Sequence, residues 1–178
     1  MANFAYVDNS NVWIEGMRVS AVAHGIAPDI ITAMNYSILD QSWRMDIGRL
    51  FDFITGPKPG RAMLYGSRPP TNDSLWNRAE QVGFEVILKE RTAANKERGL
   101  DESIITDMLD DSHHLMKAAR DEITLVAGDG GYVPPVLRLI ERGFKVDVIF
   151  WDQAAKILKE SCSKFISLNQ HLGHLRFK

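Results

Sequence analysis

Residues 4–11 read FAYVDNSN, an apolar run that ends abruptly in four polar residues. A short, continuous apolar run is typical of a strand that is buried on both faces, as strands in parallel sheets are. In an open α/β sheet the ligand site lies beyond the carboxyl ends of the strands. The run therefore predicts a buried first strand, and it places Asp8 at the edge of the sheet where a ligand would bind.

The rest of the chain alternates between runs of strand length and segments with helical spacing. Strands are predicted at 62–65, 84–88, 123–127 and 146–151, with a weaker one at 164–168. Helical spacing marks 75–82, 103–119 and the segment that ends at Gly143. Strands that alternate with helices form right-handed βαβ units. The pattern predicts an α/β fold, with a single-domain, doubly wound, mostly parallel sheet and helices on both faces.

The length of 178 residues suits one domain, which we place at 1–170, with a helical insertion at about 19–55. Asp46 is expected to cap a helix within this insertion. The apolar residues of 19–42 could serve as a lid or as the surface of a homodimer. The C-terminal tail at 171–178 is expected to be exposed or frayed.

Composition narrows the class of protein further. Cys162 is the single cysteine, which excludes an internal disulfide framework and a multi-cysteine zinc site, and which favours the cytoplasm. The first residues carry no secretory signal, and no apolar run reaches the roughly 20 residues that a membrane span needs. A net charge of −2 argues against broad, non-specific nucleic-acid binding. It does not argue against local binding of phosphates through a metal and a few basic side chains.

Three aspartates stand where they can meet at one edge of the predicted sheet. Asp8 follows the first strand, Asp129 follows the fourth within Gly-Asp-Gly-Gly, and Asp101 precedes the long helix. Carboxylates held close together repel one another, and a divalent cation such as Mg²⁺ or Mn²⁺ removes that penalty by taking their oxygens as ligands. A bound water is then activated, and the charge that develops on a phosphate is stabilised. The pattern predicts a catalytic metal site.

These acidic residues also have purely structural interpretations. Asp8 could cap a turn, and Asp101 could be the N-cap of the long helix, with Glu102 complementing the helix dipole. Asp107 lies six residues after Asp101, about 240° around a helix, so it does not share the face of Asp101. We expect Asp107 to act, if at all, through the residues that bind the metal.

A basic segment joins the third strand to the helix that follows Asp101. Residues 89–98 read KERTAANKER, and four of the ten are lysine or arginine. Such side chains position a phosphate backbone without reading its sequence, although the segment could also be a solvated loop. Tyr65, Trp13 and Tyr132 could stack on unpaired bases or belong to the core. The predicted RNA-binding residues are Ser67, Arg68, Lys89, Arg91, Lys96 and Arg98.

Four sequence blocks contain these residues in a fixed order. They are AYVDNSN at 5–11, YGSRPP at 65–70 with GFEV at 83–86, KERGLD at 96–101, and LVAGDGGYVP at 125–134. In this order and spacing they resemble the NYN domain family, a PIN-like, Rossmannoid nuclease group that includes the LabA-like proteins. The resemblance implies a metal-dependent ribonuclease whose metal carboxylates are Asp8, Asp101 and Asp129, with Asn11 supporting the first loop.

One position departs from the pattern of this family. The family has a second aspartate two residues after the first in the last block, and this chain has Gly131 there. The loss of a carboxylate is expected to weaken metal binding. Glu102 or Asp107 could compensate, and Ser10 is a further residue that could support the site.

Two functions stay open at the level of sequence. The first is a divalent-metal-dependent endoribonuclease that acts on single-stranded or structured RNA. The alternative is a catalytically weak or inactive PIN-like module that binds RNA or a protein. A metal-dependent phosphatase fits poorly, because it would need a nucleophilic or acid/base residue two positions after Asp8, where Ser10 stands.

Overall fold

The computed structural model describes residues 1–68, 74–90 and 99–178. Within them, six strands form one sheet: β1 (Asn3–Asp8), β2 (Pro59–Arg68), β3 (Glu85–Glu90), β4 (Glu122–Val126), β5 (Lys145–Phe150) and β6 (Lys164–Ser167). Neighbouring strands all pair in parallel, in the order β3-β2-β1-β4-β5-β6. The predicted α/β fold with a parallel sheet is confirmed.

Helices and two 3₁₀ turns connect these strands. The described helices are α1 (Asn9–Ala23), α2 (Ile30–Asn35), α3 (Ile47–Thr55), α4 (Ser74–Val82), α5 (Leu100–His114), α6 (Val133–Glu141) and α7 (Lys156–Ser161). The 3₁₀ turns are Gly130–Tyr132 and Asn169–His171. None of the helices in the described part of the chain is long and apolar enough to cross a bilayer.

Both faces of the sheet are covered, as in other doubly wound folds. Ala5 and Val7 of β1 belong to an apolar cluster with residues of α1, α3 and α4. Phe4 and Tyr6 belong to a second cluster with residues of α5, α6 and α7. The alternation follows from the two-residue period of a strand. Because both faces of β1 are buried, its sequence is apolar without a break.

The strand order changes direction beside β1, which lies between β2 and β4. From β1 the chain runs through α1 to α3 to reach β2, and from β4 it runs through α6 to reach β5 on the other side. A crevice opens at the carboxyl ends of such a strand pair, and this is where open α/β sheets bind their ligands. Asp8 ends β1 and Asp129 follows β4, so both lie at this crevice.

Helix α1 begins directly after β1, ahead of the predicted helical insertion at about 19–55. Its buried residues include the polar Asn9, Glu15 and Ser20, so the apolar stripe that signals a helix in a sequence is interrupted. The insertion itself contains α2 and α3. Asp46 caps α3 as predicted, because its carboxylate accepts a hydrogen bond from the backbone N of Arg49 at 3.1 Å.

The predicted boundaries of one helix are wrong. The helix expected at 103–119 spans Leu100–His114, and its N-cap is Gly99 instead of Asp101. Gly99 has a φ of 76°, a left-handed conformation that glycine adopts without steric cost.

The C-terminal residues 171–178 are tied to the rest of the fold. Leu175 is fully buried, and its carbonyl accepts a hydrogen bond from the backbone N of Asp46 at 2.7 Å. The backbone N of Phe177 donates to the carbonyl of Arg44, also at 2.7 Å. The tail is exposed at four of its eight residues, as expected, but it is not frayed, since a buried leucine and backbone hydrogen bonds hold it against the segment before α3.

A buried carboxylate links α1 to the segment that follows α2. Asp40 accepts hydrogen bonds from the hydroxyls of Ser20 and Ser42, each at 2.6 Å. These bonds lower the pKa of Asp40 from 3.8 to about 2. Because the folded pKa lies below the unfolded one, the ionised carboxylate stabilises the fold above about pH 4. This contribution is lost as the pH falls toward 2.

We expect Asp40→Asn to lower the free energy of unfolding at neutral pH by about 1–2 kcal/mol. Urea unfolding of the parent and the variant, at neutral pH and near the folded pKa, measures this effect. The difference should shrink in acid, where the parent carboxylate is protonated as well. Asp52→Asn is the matched control, because Asp52 is exposed on α3. An equal difference at both pH values would contradict the proposed role of the ionised carboxylate.

Candidate active site

A cavity of about 640 Å³ lies at the crevice, between the end of β1, the loop after β4 and the first turn of α5. Five of its described lining residues are carboxylates and one is a guanidinium. The described lining is therefore strongly negative, and a cation would be stabilised there. The lining residues are Asp8, Ser10, Asn11, Ile14, Glu15, Arg18, Gly99, Leu100, Asp101, Glu102 and Asp129.

Asp8 serves both the fold and the cavity. It is the N-cap of α1, and its Oδ1 accepts a hydrogen bond from the backbone N of Asn11 at 3.2 Å. Only 8% of its surface is exposed. The structural interpretation and the functional one are thus compatible, because the cap fixes a carboxylate that also lines the cavity.

Asn11 connects the start of α1 to the loop after β4 at the crevice. Its Oδ1 accepts a hydrogen bond from the backbone N of Gly128 at 3.4 Å, which joins the start of α1 to the loop after β4. Ser10, beside it, also lines the cavity. The predicted supporting roles of Asn11 and Ser10 stay predictions, but both residues lie where such roles require them.

Asp129 is exposed in the glycine-rich loop after β4. Its Oδ1 accepts a hydrogen bond from the backbone N of Gly131 at 3.1 Å, which starts the 3₁₀ turn. A Cβ at Gly128 would come within 2.4 Å of the Phe150 ring, so packing requires glycine there. A Cβ at Gly131 would meet nothing closer than 3.8 Å. Packing therefore does not explain why this chain lacks a carboxylate at Gly131.

Asp101 is exposed in the first turn of α5, and it accepts a hydrogen bond from the Tyr132 hydroxyl to Oδ1 at 3.1 Å. Tyr132 is buried, with 1% of its surface exposed. Burial raises the pKa of the Tyr132 hydroxyl above its usual range, and the negative charges of Asp8, Asp101 and, more weakly, Asp129 raise this pKa further. The Tyr132 hydroxyl thus donates to Asp101 and feels the charge of all three predicted carboxylates.

Buried tyrosines fix α5 against the sheet along its length. Each donates a hydrogen bond to a different carboxylate of α5, and burial is the largest cause of the raised pKa of each hydroxyl. Such bonds to charged acceptors are stronger than those between neutral groups. They hold the first turn of α5, with its carboxylate, at the cavity. The pairs are Tyr132 with Asp101 at 3.1 Å, Tyr65 with Asp107 at 2.8 Å and Tyr6 with Asp111 at 2.6 Å.

Glu102 and Asp107, the residues predicted to compensate for Gly131, lie in different places. Glu102 is exposed and lines the acidic cavity. Asp107 does not line it, and instead borders a second pocket of about 390 Å³ together with Lys89 and Glu102. The predicted separation of Asp107 from the face of Asp101 is therefore observed.

The predicted RNA-binding residues are only partly within the described chain. Ser67 is buried, with 3% of its surface exposed, which leaves little of it for an RNA contact. Lys89 is exposed beside the second pocket. Tyr65 and Tyr132 are core residues, so the structure does not offer them for base stacking. Outside the described residues lie Arg91, Lys96, Arg98 and the side chain of Arg68.

Sequence reasoning did not identify Glu15 and Arg18 as residues of the cavity. Both lie on α1, four and seven residues after Asn11, so the three share one helical face. Helical spacing would have revealed them if α1 had been predicted from Asn9 onward. The missed residues follow directly from the missed helix.

The donor set suits a hard divalent cation. Carboxylate oxygens are the ligands that Mg²⁺ and Mn²⁺ take, and Mg²⁺ keeps several waters, so one or two direct carboxylates suffice. Within the described ranges, no three acidic, histidine or cysteine side chains lie close enough together to enclose an ion. The aspartates therefore form an open acidic site, which fits a hydrated cation better than a fully enclosed one.

The sheet order and the acidic crevice together define a Rossmann-like α/β protein with a carboxylate site at its topological switch point. The family model of the NYN domain matches residues 10–169. The chain therefore belongs to the NYN domain family, a group of PIN-like nucleases, and the predicted family is confirmed. The match begins two residues after Asp8, so the assignment of Asp8 rests on its place in the fold.

A solved structure with a similar fold supports the architecture. It is a protein of unknown function from Vibrio parahaemolyticus, with a TM-score of 0.68 and 20% sequence identity. The similarity covers 94% of this chain and 92% of that chain. At this identity, the likeness shows a shared fold alone. No curated protein matches the chain.

Proposed function

We propose that this chain is a divalent-metal-dependent ribonuclease that hydrolyses RNA phosphodiester bonds. One observation carries the proposal: Asp8, Asp101 and Asp129, from three separate segments, line one acidic cavity at the switch point of the sheet. Membership of a nuclease family supports the same chemistry. RNA as substrate and the cytoplasm as location are further expectations from the sequence, which leaves open whether 19–42 serves as a lid or as the surface of a homodimer.

Asp8, Asp101 and Asp129 would hold a hydrated Mg²⁺ or Mn²⁺, one or two of them directly and the others through its bound waters, with Glu102 at the rim of the same cavity. When bound, the cation polarises the phosphate and makes a bound water more acidic. Asn11 ties the start of α1 to the loop after β4, and Tyr132 orients Asp101 through its hydroxyl. Lys89 and the predicted basic residues of 91–98 would guide the phosphate backbone toward the cavity.

Tyr132→Phe is expected to weaken Mn²⁺ binding about tenfold, because hydrogen-bond partners of metal ligands typically contribute 10–100-fold to affinity or activity. The ring stays in place, so the variant should remain folded and lose only the bond to Asp101. Isothermal titration with Mn²⁺ measures the effect. Tyr6→Phe is the control, since it removes a comparable bond to Asp111 away from the cavity. Equal Mn²⁺ affinities of the parent and Tyr132→Phe would contradict the proposed role.

The second candidate function is a PIN-like module that binds RNA or a protein without cutting. Two observations favour it: Gly131 carries no carboxylate, and the described acidic residues do not enclose an ion. Titration with Mn²⁺ separates the two functions. Binding that Asp129→Asn weakens supports the enzyme, whereas no binding at millimolar Mn²⁺ supports the module.

The ribonuclease is tested by incubation with single-stranded and structured RNA, in Mn²⁺ or in EDTA. A circular RNA shows whether cleavage starts within the chain, because it has no ends for an exonuclease. Linear and circular RNA should both be cut in Mn²⁺ and left intact in EDTA. An intact circle beside a degraded linear RNA would contradict an endonuclease.

A further inference from the structure

One cation stands among the carboxylates of the acidic cavity. Of the described side chains that line it, Arg18 alone carries a positive charge. Arg18 lies on α1, three residues after Glu15, and forms an ion pair with it. A guanidinium keeps its charge at any ordinary pH, so this charge belongs to the cavity permanently.

A second layer of contacts holds this arginine in position. Gln153 donates a hydrogen bond from Nε2 to Glu15 Oε2 at 2.9 Å and contacts the Glu15 carbonyl at 3.2 Å. The Arg18 side chain is 19% exposed and that of Glu15 is 12% exposed. Arg18 and Gln153 thus both contact the carboxylate of Glu15. This carboxylate holds the guanidinium of Arg18 beside the acidic cavity.

The donors of Arg18 are not all used by these contacts. A guanidinium has five N–H donors, and the ion pair with Glu15 is formed through Nη1. Among the described residues Nη2 donates to no partner, so it is the donor that a ligand in the cavity can reach, whereas Nε is buried. A planar group with spare donors matches the oxygens of a phosphate, which it can bind through two parallel bonds.

We propose that Arg18 is a phosphate-positioning residue, which binds a non-bridging oxygen of the RNA backbone as it enters the acidic cavity. The inference rests on the proposed ribonuclease function. An RNA phosphate is repelled by five carboxylates, and a single divalent cation offsets only part of their charge. Arg18 supplies the additional positive charge at a fixed place.

The proposal predicts opposite changes in two affinities. Arg18→Met should weaken RNA binding about tenfold, because a charge-assisted contact to phosphate is lost. The same variant should bind Mn²⁺ at least as tightly as the parent, since a positive charge beside the carboxylates is removed. Arg18→Lys should fall between the parent and Arg18→Met in RNA affinity, because lysine keeps the charge without the planar fork.

Fluorescence anisotropy with a short labelled single-stranded RNA measures RNA binding. Ca²⁺ replaces Mn²⁺ in this arm, because it keeps oxygen ligation while relaxing the octahedral geometry. Isothermal titration measures Mn²⁺ binding. Arg49→Met is the matched control, since Arg49 also pairs with an acid three residues earlier, Asp46, away from the cavity. Arg18→Lys keeps the test decisive if Arg18→Met fails to fold.

Weaker RNA binding with undiminished Mn²⁺ binding is the expected result. RNA affinity that stays within about twofold of the parent in both Arg18 variants would overturn the proposal. An equal loss of RNA affinity and of Mn²⁺ affinity would also overturn it, because such a loss indicates a structural role of Arg18. A parent that binds RNA without cutting it would overturn the proposed hydrolysis alone, and the RNA affinities would still decide the role of Arg18. A parent that binds no RNA would overturn both.

Discussion

Asp101→Asn is expected to reduce Mn²⁺-dependent RNA cleavage by at least about 100-fold, because a metal ion supplies several kcal/mol of transition-state stabilisation and each 1.36 kcal/mol is a factor of ten. The change removes a charge and keeps the shape of the side chain. The carbonyl oxygen of the asparagine side chain can still accept the bond from Tyr132. The exposed position makes a large loss of stability unexpected.

The kinetics of this variant can be compared with a close control. Asp110→Asn makes the same substitution on the same helix, at an exposed residue that does not line the cavity. We expect its cleavage rate to equal that of the parent, and both variants to unfold within a few degrees of the parent. Equal losses in Asp101→Asn and Asp110→Asn would indicate a general effect of charge on α5, and would contradict the assignment of Asp101.

The second large effect concerns stability. Gly16 lies on α1 where two indoles of the core meet, and a Cβ there would come within 2.6 Å of Trp43 and 2.7 Å of Trp151. Both rings are buried and pack edge-to-face, with centroids 5.8 Å apart. We expect Gly16→Ala to lower the free energy of unfolding by about 1–3 kcal/mol, the usual cost of overpacking. Urea denaturation measures the change.

A glycine on a neighbouring helix provides the comparison. Gly48 lies in the first turn of α3, and a Cβ there would meet its nearest neighbour at 3.4 Å, an ordinary contact. Gly48→Ala should leave stability unchanged or raise it by up to about 1 kcal/mol, since alanine is the better helix former. If Gly16→Ala were as stable as Gly48→Ala, the two indoles could move aside at no cost. That result would contradict the tight packing of Trp43 and Trp151 against Gly16.

The central strands were predictable because they are buried on both faces. Runs such as 4–7 and 62–65 are apolar without alternation, the pattern that a strand between two helical layers produces. The order of the strands was not predicted, because right-handed connections are compatible with more than one doubly wound order. The aspartates at the carboxyl ends of β1 and β4 were predictable, since the carboxyl ends of parallel strands meet at one edge of the sheet.

The features that could not be predicted from the sequence lie mostly on α1 and at helix ends. Buried polar residues such as Glu15 interrupt the apolar stripe of α1, so the start of the helix was missed, and with it the cavity residues Glu15 and Arg18. The start of α5 depends on the left-handed backbone of Gly99, which spacing alone does not reveal. The position of the tail depends on Leu175, a single buried residue whose partners lie far away in the chain.

Cleavage of RNA by the parent and by Asp129→Asn, in Mn²⁺ and in EDTA, tests the central claim most directly. Asp129 is exposed, and asparagine can still accept the bond from the backbone N of Gly131, so the variant should fold as the parent does. We expect cleavage by the parent in Mn²⁺, none in EDTA, and a loss of at least about 100-fold in the variant. Equal cleavage by both proteins in Mn²⁺, or no cleavage by a folded parent in any divalent metal, would contradict the central claim.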